Sequence, residues 1–202
     1  MFTGHILSIG ILVYIAASVW RKKSLYGHDG LILIPPPPSE IERIKELEGI
    51  QHQYYNRVVP PYLQQAFDEA HGDVFNDFLK SEGIRDQRPT IKKWHNSVLI
   101  PVLLHKTYFN SPRPHQLAQK YNIPFSYDKL KTTQTASYPS GHTTQAYYVA
   151  LHLSDLYPHL RERFFDIAEG ISNSRIDRGV HFPSDIEGGK LLAQALYEKS
   201  LQ

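Results

Sequence analysis

Apolar positions along this chain recur at helical spacing and hardly ever alternate. Ser39 with Glu42 forms a capping box, which starts a helix running to about Asn56. Leu63, Ala66, Phe67 and Ala70 keep a three-and-four spacing, and Val74, Phe75, Phe78 and Leu79 resume it after Gly72. Gly83 suits the left-handed position that closes a helix. Thr90 is the expected cap of the next helix, through IKKWHNSVLIPVLLHKTYF, which Pro101 kinks or splits. The pattern is lost from 110 to 141, where Pro, Ser, Thr and Asn dominate, although a short helix is expected from Pro114. Periodicity returns over 142–157 and 159–178, where Gly179 ends it. A last helix is expected over about 183–199, with Leu191, Leu192, Ala195 and Leu196 on its apolar face. No segment alternates for long enough to make a sheet. The expected fold class is all-α, a single helical bundle domain with one long irregular stretch. Irregular stretches of that length are usually functional or disordered.

The N-terminus has a different pattern. Residues 6–20, ILSIGILVYIAASVW, carry no charge, and Arg21-Lys22-Lys23 follow directly. That run is short of the ~20 residues a membrane span needs. Three readings stay open. It is a membrane anchor with Trp20 at the interface and the basic cluster among headgroups; a signal peptide cleaved near Ala16-Ala17-Ser18, although no Lys or Arg precedes it; or a buried core helix. An anchor would put the rest of the chain in the cytoplasm by the positive-inside rule. Cleavage would make it periplasmic or secreted. LILIPPPPSE, at 31–40, is a stiff extended stretch. The expected division is a hydrophobic anchor or signal helix over 1–24, an extended proline-rich linker over 25–38 and a helical domain over 39–202.

Composition narrows the function. At 202 residues the chain is long enough for one domain with a proper core. It has no cysteine, which excludes disulfides, thiolate metal sites and a cysteine nucleophile. A net charge of +2, with no basic run interleaved with aromatics, argues against a nucleic-acid partner.

Three clusters carry candidate chemistry. In Lys106-Thr-Tyr-Phe-Asn-Ser-Pro-Arg113-Pro114, Lys106 closes an apolar helix, and Arg113 sits between two prolines. A residue before proline is held extended, so the guanidinium is presented from a stiff piece of chain. Lys80 and Arg88-Pro89 look similar but stand one residue further apart. In Tyr138-Pro-Ser-Gly-His142, Ser140 and Gly141 are placed to offer backbone N–H groups at a helix N-terminus, where the dipole and the unpaired donors favour an anion. His142 follows within reach of whatever the anion is bonded to. In Ser174-Arg175-Ile-Asp-Arg-Gly-Val-His181-Phe-Pro-Ser-Asp185, Asp185 lies one turn after His181 and can accept its Nδ1–H. Nε2 then keeps its lone pair. His142 has Ala146, not a carboxylate, at the matching position, so the two histidines separate by their surroundings. No HExxH or comparable cluster points to a metal site.

Together these groups offer three cations, a helix-terminal donor pair, an oriented histidine and a second histidine. A phosphomonoester carries about −2 charge. Phosphoryl transfer asks mainly for positioning and charge stabilisation. One histidine can attack phosphorus while the other protonates the leaving oxygen. Tyr108, Tyr138 and Phe182 are the aromatics expected to shape the pocket wall, with His105 and His115 flanking the first cluster.

Lys106-x6-Arg113-Pro114, Pro139-Ser-Gly-His142 and Ser174-Arg175-x5-His181-x3-Asp185 resemble, in order, the three-part signature of the type 2 phosphatidic acid phosphatase superfamily. That group also contains bacterial class A acid phosphatases and vanadium haloperoxidases. The resemblance covers 106–185. It implies a helical bundle in which Lys106, Arg113, Ser140, Gly141 and Arg175 hold phosphate. It also implies that His181 forms a phosphohistidine, Asp185 orients it and His142 is the general acid. No cofactor or metal is then required, and vanadate is an expected inhibitor. The substrate is a phosphorylated small molecule or lipid. Two alternatives share these residues: a vanadate-dependent haloperoxidase, with vanadate as cofactor, and a non-catalytic phosphate-binding protein tethered to a membrane. Lipid-directed members usually have several membrane helices, whereas here 6–20 alone qualifies.

Overall fold

Local sequence sets where the helices start and stop. The computed structural model describes residues 33–58, 67–68 and 71–202. The segment 6–20, where a hydrophobic helix is expected, and Leu63, Ala66 and Ala70 lie outside the described residues. Helix α1, Glu40–Asn56, opens with the expected box: Ser39 N–H donates to Glu42 at 2.9 Å, and Glu42 N–H to Ser39 Oγ at 3.4 Å. Helix α2, His71–Ser81, ends at Gly83 with φ of 75°. There Ile84 N–H reaches Leu79 O at 2.9 Å and Gly83 N–H reaches Lys80 O at 3.0 Å, the paired bonds of a Schellman motif. The same pair of bonds closes two later helices, with Asn122 and Gly179 at the left-handed position.

Two boundaries differ from expectation. Helix α3, Arg88–Ser97, is capped by Gln87 and not by Thr90, because Pro89 loses nothing in a first turn whose N–H groups are unpaired anyway. The break falls at Val98, where α4, Leu99–Phe109, begins. Pro101 has no N–H to give the Ser97 carbonyl and its ring crowds it, so the chain parts one turn before the proline. Helix α5, Pro114–Lys120, starts where expected, with Arg113 extended at ψ 161°. A short 3-10 turn, Lys131–Thr133, follows in the irregular stretch.

Helix α6, Gly141–Leu156, is the centre of the bundle. It packs most against α7, Arg161–Asp177, and α8, Pro183–Ser200, and less against α3 and α4. It is buried on nearly every side, as a central helix must be. Phe75, Leu79, Ile91, Val149, Leu153, Phe164 and Ile171 form the main core. A second cluster joins Leu47 and Ile50 of α1 to Leu117, Ile176, Phe182 and Ile186. The architecture is an all-α bundle, with no strand among the described residues. No helix among them is long and apolar enough to cross a membrane.

Two glycine contacts fix how the site is mounted. A Cβ on Gly189 of α8 would stand 2.8 Å from both Ser140 O and Thr143 Cβ, so α8 touches the start of α6 directly. At Gly179 (φ 67°) a Cβ would stand 2.8 Å from Ser126 O, so the irregular stretch lies against the turn between α7 and α8. Asp128 ties the same place down. Its N–H donates to Arg178 O at 2.9 Å, and its carboxylate accepts from Arg178 Nε at 3.0 Å.

Candidate active site

The turn at Gly179 drops His181 onto α8. Pro183 begins that helix, and Asp185 occupies its third position with the carboxylate turned back. His181 Nδ1 and Asp185 Oδ2 are 3.0 Å apart. Oδ2 also accepts from Phe182 N–H at 3.0 Å and from the Ser137 hydroxyl. Oδ1 accepts from Arg43 of α1 at 3.2 Å. Arg43 also donates to the Ser111 hydroxyl and to Pro112 O, and lies 4.0 Å from the Phe182 ring centre. Burial pushes the Asp185 carboxyl up, and the Arg43 guanidinium is the strongest influence opposing it.

Arg113 closes the other side of the ring. Its NH1 lies 3.1 Å from His181 Nε2 and donates to Val180 O at 2.8 Å, while Nε donates to Thr135 O at 3.0 Å. Arginine can only donate. Nε2 is therefore the acceptor, and the ring proton sits on Nδ1 toward Asp185. The lone pair meets Arg113 and not open space, so an incoming anion has to draw the guanidinium onto itself. Burial, reinforced by Arg113, Lys106 and Arg175, holds His181 well below its usual value and hence neutral.

Lys106 lies in the last turn of α4, with its ammonium on the carbonyls of Ala136 and Ser137, the latter at 3.0 Å. Burial lowers its pKa, with help from Arg113. Ser140 caps α6: its hydroxyl oxygen lies 2.9 Å from Thr143 Oγ1 and 3.4 Å from Thr143 N. One expectation changes here. The Ser140 N–H donates to Asp185 O at 2.9 Å, so it is not part of the helix-terminal donor pair. Gly141 and His142 carry the first two N–H groups of the helix in its place.

Arg175, in the last turn of α7, donates through NH1 to Asp68 Oδ1 at 2.6 Å and through NH2 to Thr132 at 3.3 Å. Its Nε is buried with no hydrogen-bond partner among the described residues. The same Asp68 faces His142: the ring Nε2 is 3.1 Å from its carbonyl oxygen and 3.4 Å from Oδ1. Burial, then Arg175, pushes His142 down to about 4. For Asp68 itself, burial pushes upward. His142, Arg175 and Thr132 outweigh it and hold the carboxyl well below its usual range.

Lys106, Arg113, Arg175, His142, His181 and Asp185 are all buried or nearly so around the start of α6 and the α7–α8 turn. Sequence reasoning missed Arg43, Ser137, Asp68 and Thr132. Arg43 left one trace: it shares the buried face of α1 with Leu47 and Ile50, and a cation on an apolar face needs a buried partner. The sequence comparison of His142 with Ala146 is also corrected, because Asp68 supplies a carboxylate from elsewhere in the chain. Tyr138 and Phe182 are not wall residues: the Tyr138 hydroxyl bonds Pro35 O at 2.8 Å, and Phe182 is core beneath Arg43. Tyr108 is exposed. His105 bonds Pro101 O at 2.8 Å, and His115 stacks on Tyr127. Arg88 of the look-alike pair makes exposed ion pairs with Asp73, Asp77 and Asp86.

Comparison with known proteins identifies the family. The sequence model of the PAP2 superfamily matches residues 95–197. A non-specific acid phosphatase of Providencia stuartii is 32% identical over 189 residues, spanning 87% of this chain and 75% of its own. An acid phosphatase of Zymomonas mobilis subsp. mobilis is 40% identical over 66 residues, 33% of this chain and 25% of its own. Among solved structures, the transmembrane PAP2-type phosphatidylglycerolphosphate phosphatase of Bacillus subtilis shares the fold. Its TM-score is 0.50 at 14% identity, covering 95% of this chain and 92% of that one. The chain belongs to the PAP2 superfamily.

Proposed function

We propose that the protein is a metal-independent phosphatase that hydrolyses phosphate monoesters through a phosphohistidine. The observation that carries this is the His181 ring held between Asp185 and Arg113, which fixes the proton on Nδ1 and the lone pair on Nε2. A neutral, oriented imidazole is a nucleophile. The Nε of Arg175, buried without a hydrogen-bond partner among the described residues, supports a place for an oxyanion beside it.

The phosphate lies among Lys106, Arg113 and Arg175, with donors from Gly141 N–H and the Ser140 hydroxyl. These positive groups match its charge of about −2. Nε2 of His181 forms a bond to phosphorus as the bond from phosphorus to the leaving oxygen breaks. His142 gives that oxygen its proton and the alcohol departs. Asp185 stabilises the positive charge that builds on the His181 ring. Water then attacks the phosphohistidine, passing a proton to His142, and inorganic phosphate leaves with both histidines restored.

Lipid phosphates and diphosphates present the same reacting group. Residues 6–20 would bring the site close to a membrane if they act as an anchor, which keeps a lipid phosphate among the candidate substrates; as a cleaved leader they would leave the domain periplasmic or secreted. The similarity to proteins named acid phosphatases supports phosphate-ester hydrolysis as the reaction. The full chain is expected to hydrolyse p-nitrophenyl phosphate in the presence of EDTA, to be inhibited by vanadate and to lose turnover in His181→Ala. Normal turnover in that variant sinks the mechanism. Bromide oxidation by peroxide, dependent on added vanadate and without ester hydrolysis, replaces it with the haloperoxidase reading. A panel of soluble esters, lipid phosphates and diphosphates then ranks the substrates.

A further inference from the structure

On the phosphatase reading above, we propose that Asp68 is a positioning residue that aims Arg175 at the phosphate and holds His142 ready to protonate the leaving group. Neither sequence motif nor family signature includes it, and it lies upstream of the residues that match the family.

The first support is the division of Arg175's donors. NH1 is taken by Asp68 and NH2 by Thr132, whose hydroxyl itself donates to Asp68 at 2.8 Å. Nε is left buried and unpartnered among the described residues. A buried donor without an acceptor is costly. Asp68 therefore holds the guanidinium in an orientation that is satisfied only when an oxyanion arrives at the Nε edge.

The second support is the charge around His142. A general acid must carry its proton when the ester is bound, yet the ring is buried beside cations. Arg175 faces it from α7 and disfavours its charged form, and a charge on His142 in turn disfavours one on His181. Lys106 of α4 lies against the same helix start, with its Cε 3.9 Å from where a Cβ on Gly141 would be. Arg178 stands 3.9 Å from Asp68, and its own charge is shared with Asp128. Among the described residues, Asp68 is an anion that offsets these. Its carbonyl and carboxylate both lie on the Nε2 side of the ring, and both favour the protonated form. The site thus holds two Asp–His pairs of opposite purpose: Asp185 fixes a neutral nucleophile between it and Arg113, while Asp68 offsets the cations around His142, so that this ring, neutral in the empty site, takes up its proton when the anionic ester is bound.

The two purposes separate in experiment. Protonation matters for a poor leaving group and little for p-nitrophenolate. In Asp68→Asn, kcat/KM for a simple alkyl phosphate is expected to fall at least ten-fold more than for p-nitrophenyl phosphate. The basic limb of the alkyl-phosphate profile is expected to move to lower pH, and Asp68→Glu to recover part of both. NMR titration of His142, with and without inorganic phosphate, is expected to give a lower midpoint in Asp68→Asn. Equal losses on both esters with an unmoved limb, or an unchanged His142 midpoint, overturn the proposal. If Asp68→Asn does not fold, Thr132→Val takes its place: it removes one donor to Asp68, and a smaller limb shift is expected, its absence again overturning the idea. A wild type that hydrolyses neither ester sinks the phosphatase reading, while the NMR midpoints still decide whether Asp68 governs His142.

Discussion

Arg43 of α1 donates to Asp185 of α8 at 3.2 Å across a sequence separation of 142, and both side chains are almost wholly buried. The carboxylate that orients the nucleophile thus keeps its charge with help from a helix that precedes the family-matched residues.

Arg43→Met removes that counter-charge while roughly keeping volume. An uncompensated buried charge costs about 3–5 kcal/mol, so the variant should melt early. Asp185, already pushed up by burial, should rise further. The acid limb of kcat should then move to higher pH on every ester, with kcat reduced about 10–100-fold as for other supporting partners. Arg43→Lys should restore part of the limb. A pH–rate profile with an unmoved acid limb counts against the link.

Asp185→Asn should leave phosphate binding nearly intact and slow attack, because an amide no longer fixes the proton on Nδ1. A fall in kcat of about ten-fold or more, with inorganic phosphate inhibition little changed, is expected. Rapid-quench trapping of the phosphoenzyme reads the step directly. A loss confined to inhibitor affinity would place Asp185 in binding.

Stability should fall with mild acid. His142 stands at about 4 in the folded chain against an ordinary 6.5. Between those values the unfolded chain binds a proton that the folded chain refuses. The contribution is complete above pH 6.5 and is lost as pH falls toward 4, by up to about 3 kcal/mol. His181 shifts in the same direction. Urea midpoints at pH 7 and 4.5 should differ less in His142→Gln than in wild type; an equal difference would show that other groups carry the effect.

Gly189→Ala should disturb the anion site from behind. Its Cβ would press on Ser140 O and Thr143, both at 2.8 Å. Overpacking of this kind typically costs about 1–3 kcal/mol. Weaker inhibition by inorganic phosphate should accompany the lower melting temperature. Gly49→Ala, in the exposed part of α1 with nothing within 4 Å, should stabilise the chain by about 0.5–1 kcal/mol and leave inhibition unchanged.

The sequence made legible what neighbours decide. The Ser39 box, the turn glycines and the start at Pro114 all depend on residues a few positions apart, and all appear as read. Thr90 and Pro101 show the limit: the cap lies at Gln87 and the break at Val98, because Pro89 fits the first turn and Pro101 has no N–H for the turn before it. His142 shows a harder one. A reading of the i+4 position saw Ala146, whereas the carboxylate comes from Asp68, 74 positions upstream. The use of the Ser140 N–H by Asp185 was likewise hidden, because only the meeting of α6 and α8 creates it.

The crowding at Gly179 bears on how such an enzyme can change its diet. New substrate preferences usually come through exchange of irregular segments. Here Ser126 and Asp128 sit directly on the turn that carries His181. Length changes at 126–128 would therefore disturb catalysis as they alter selectivity, while Thr132, further along the stretch, bonds both Asp68 and Arg175. Selectivity and rate are therefore tied together along this stretch, through the nucleophile's turn at 126–128 and through the acid's support at Thr132.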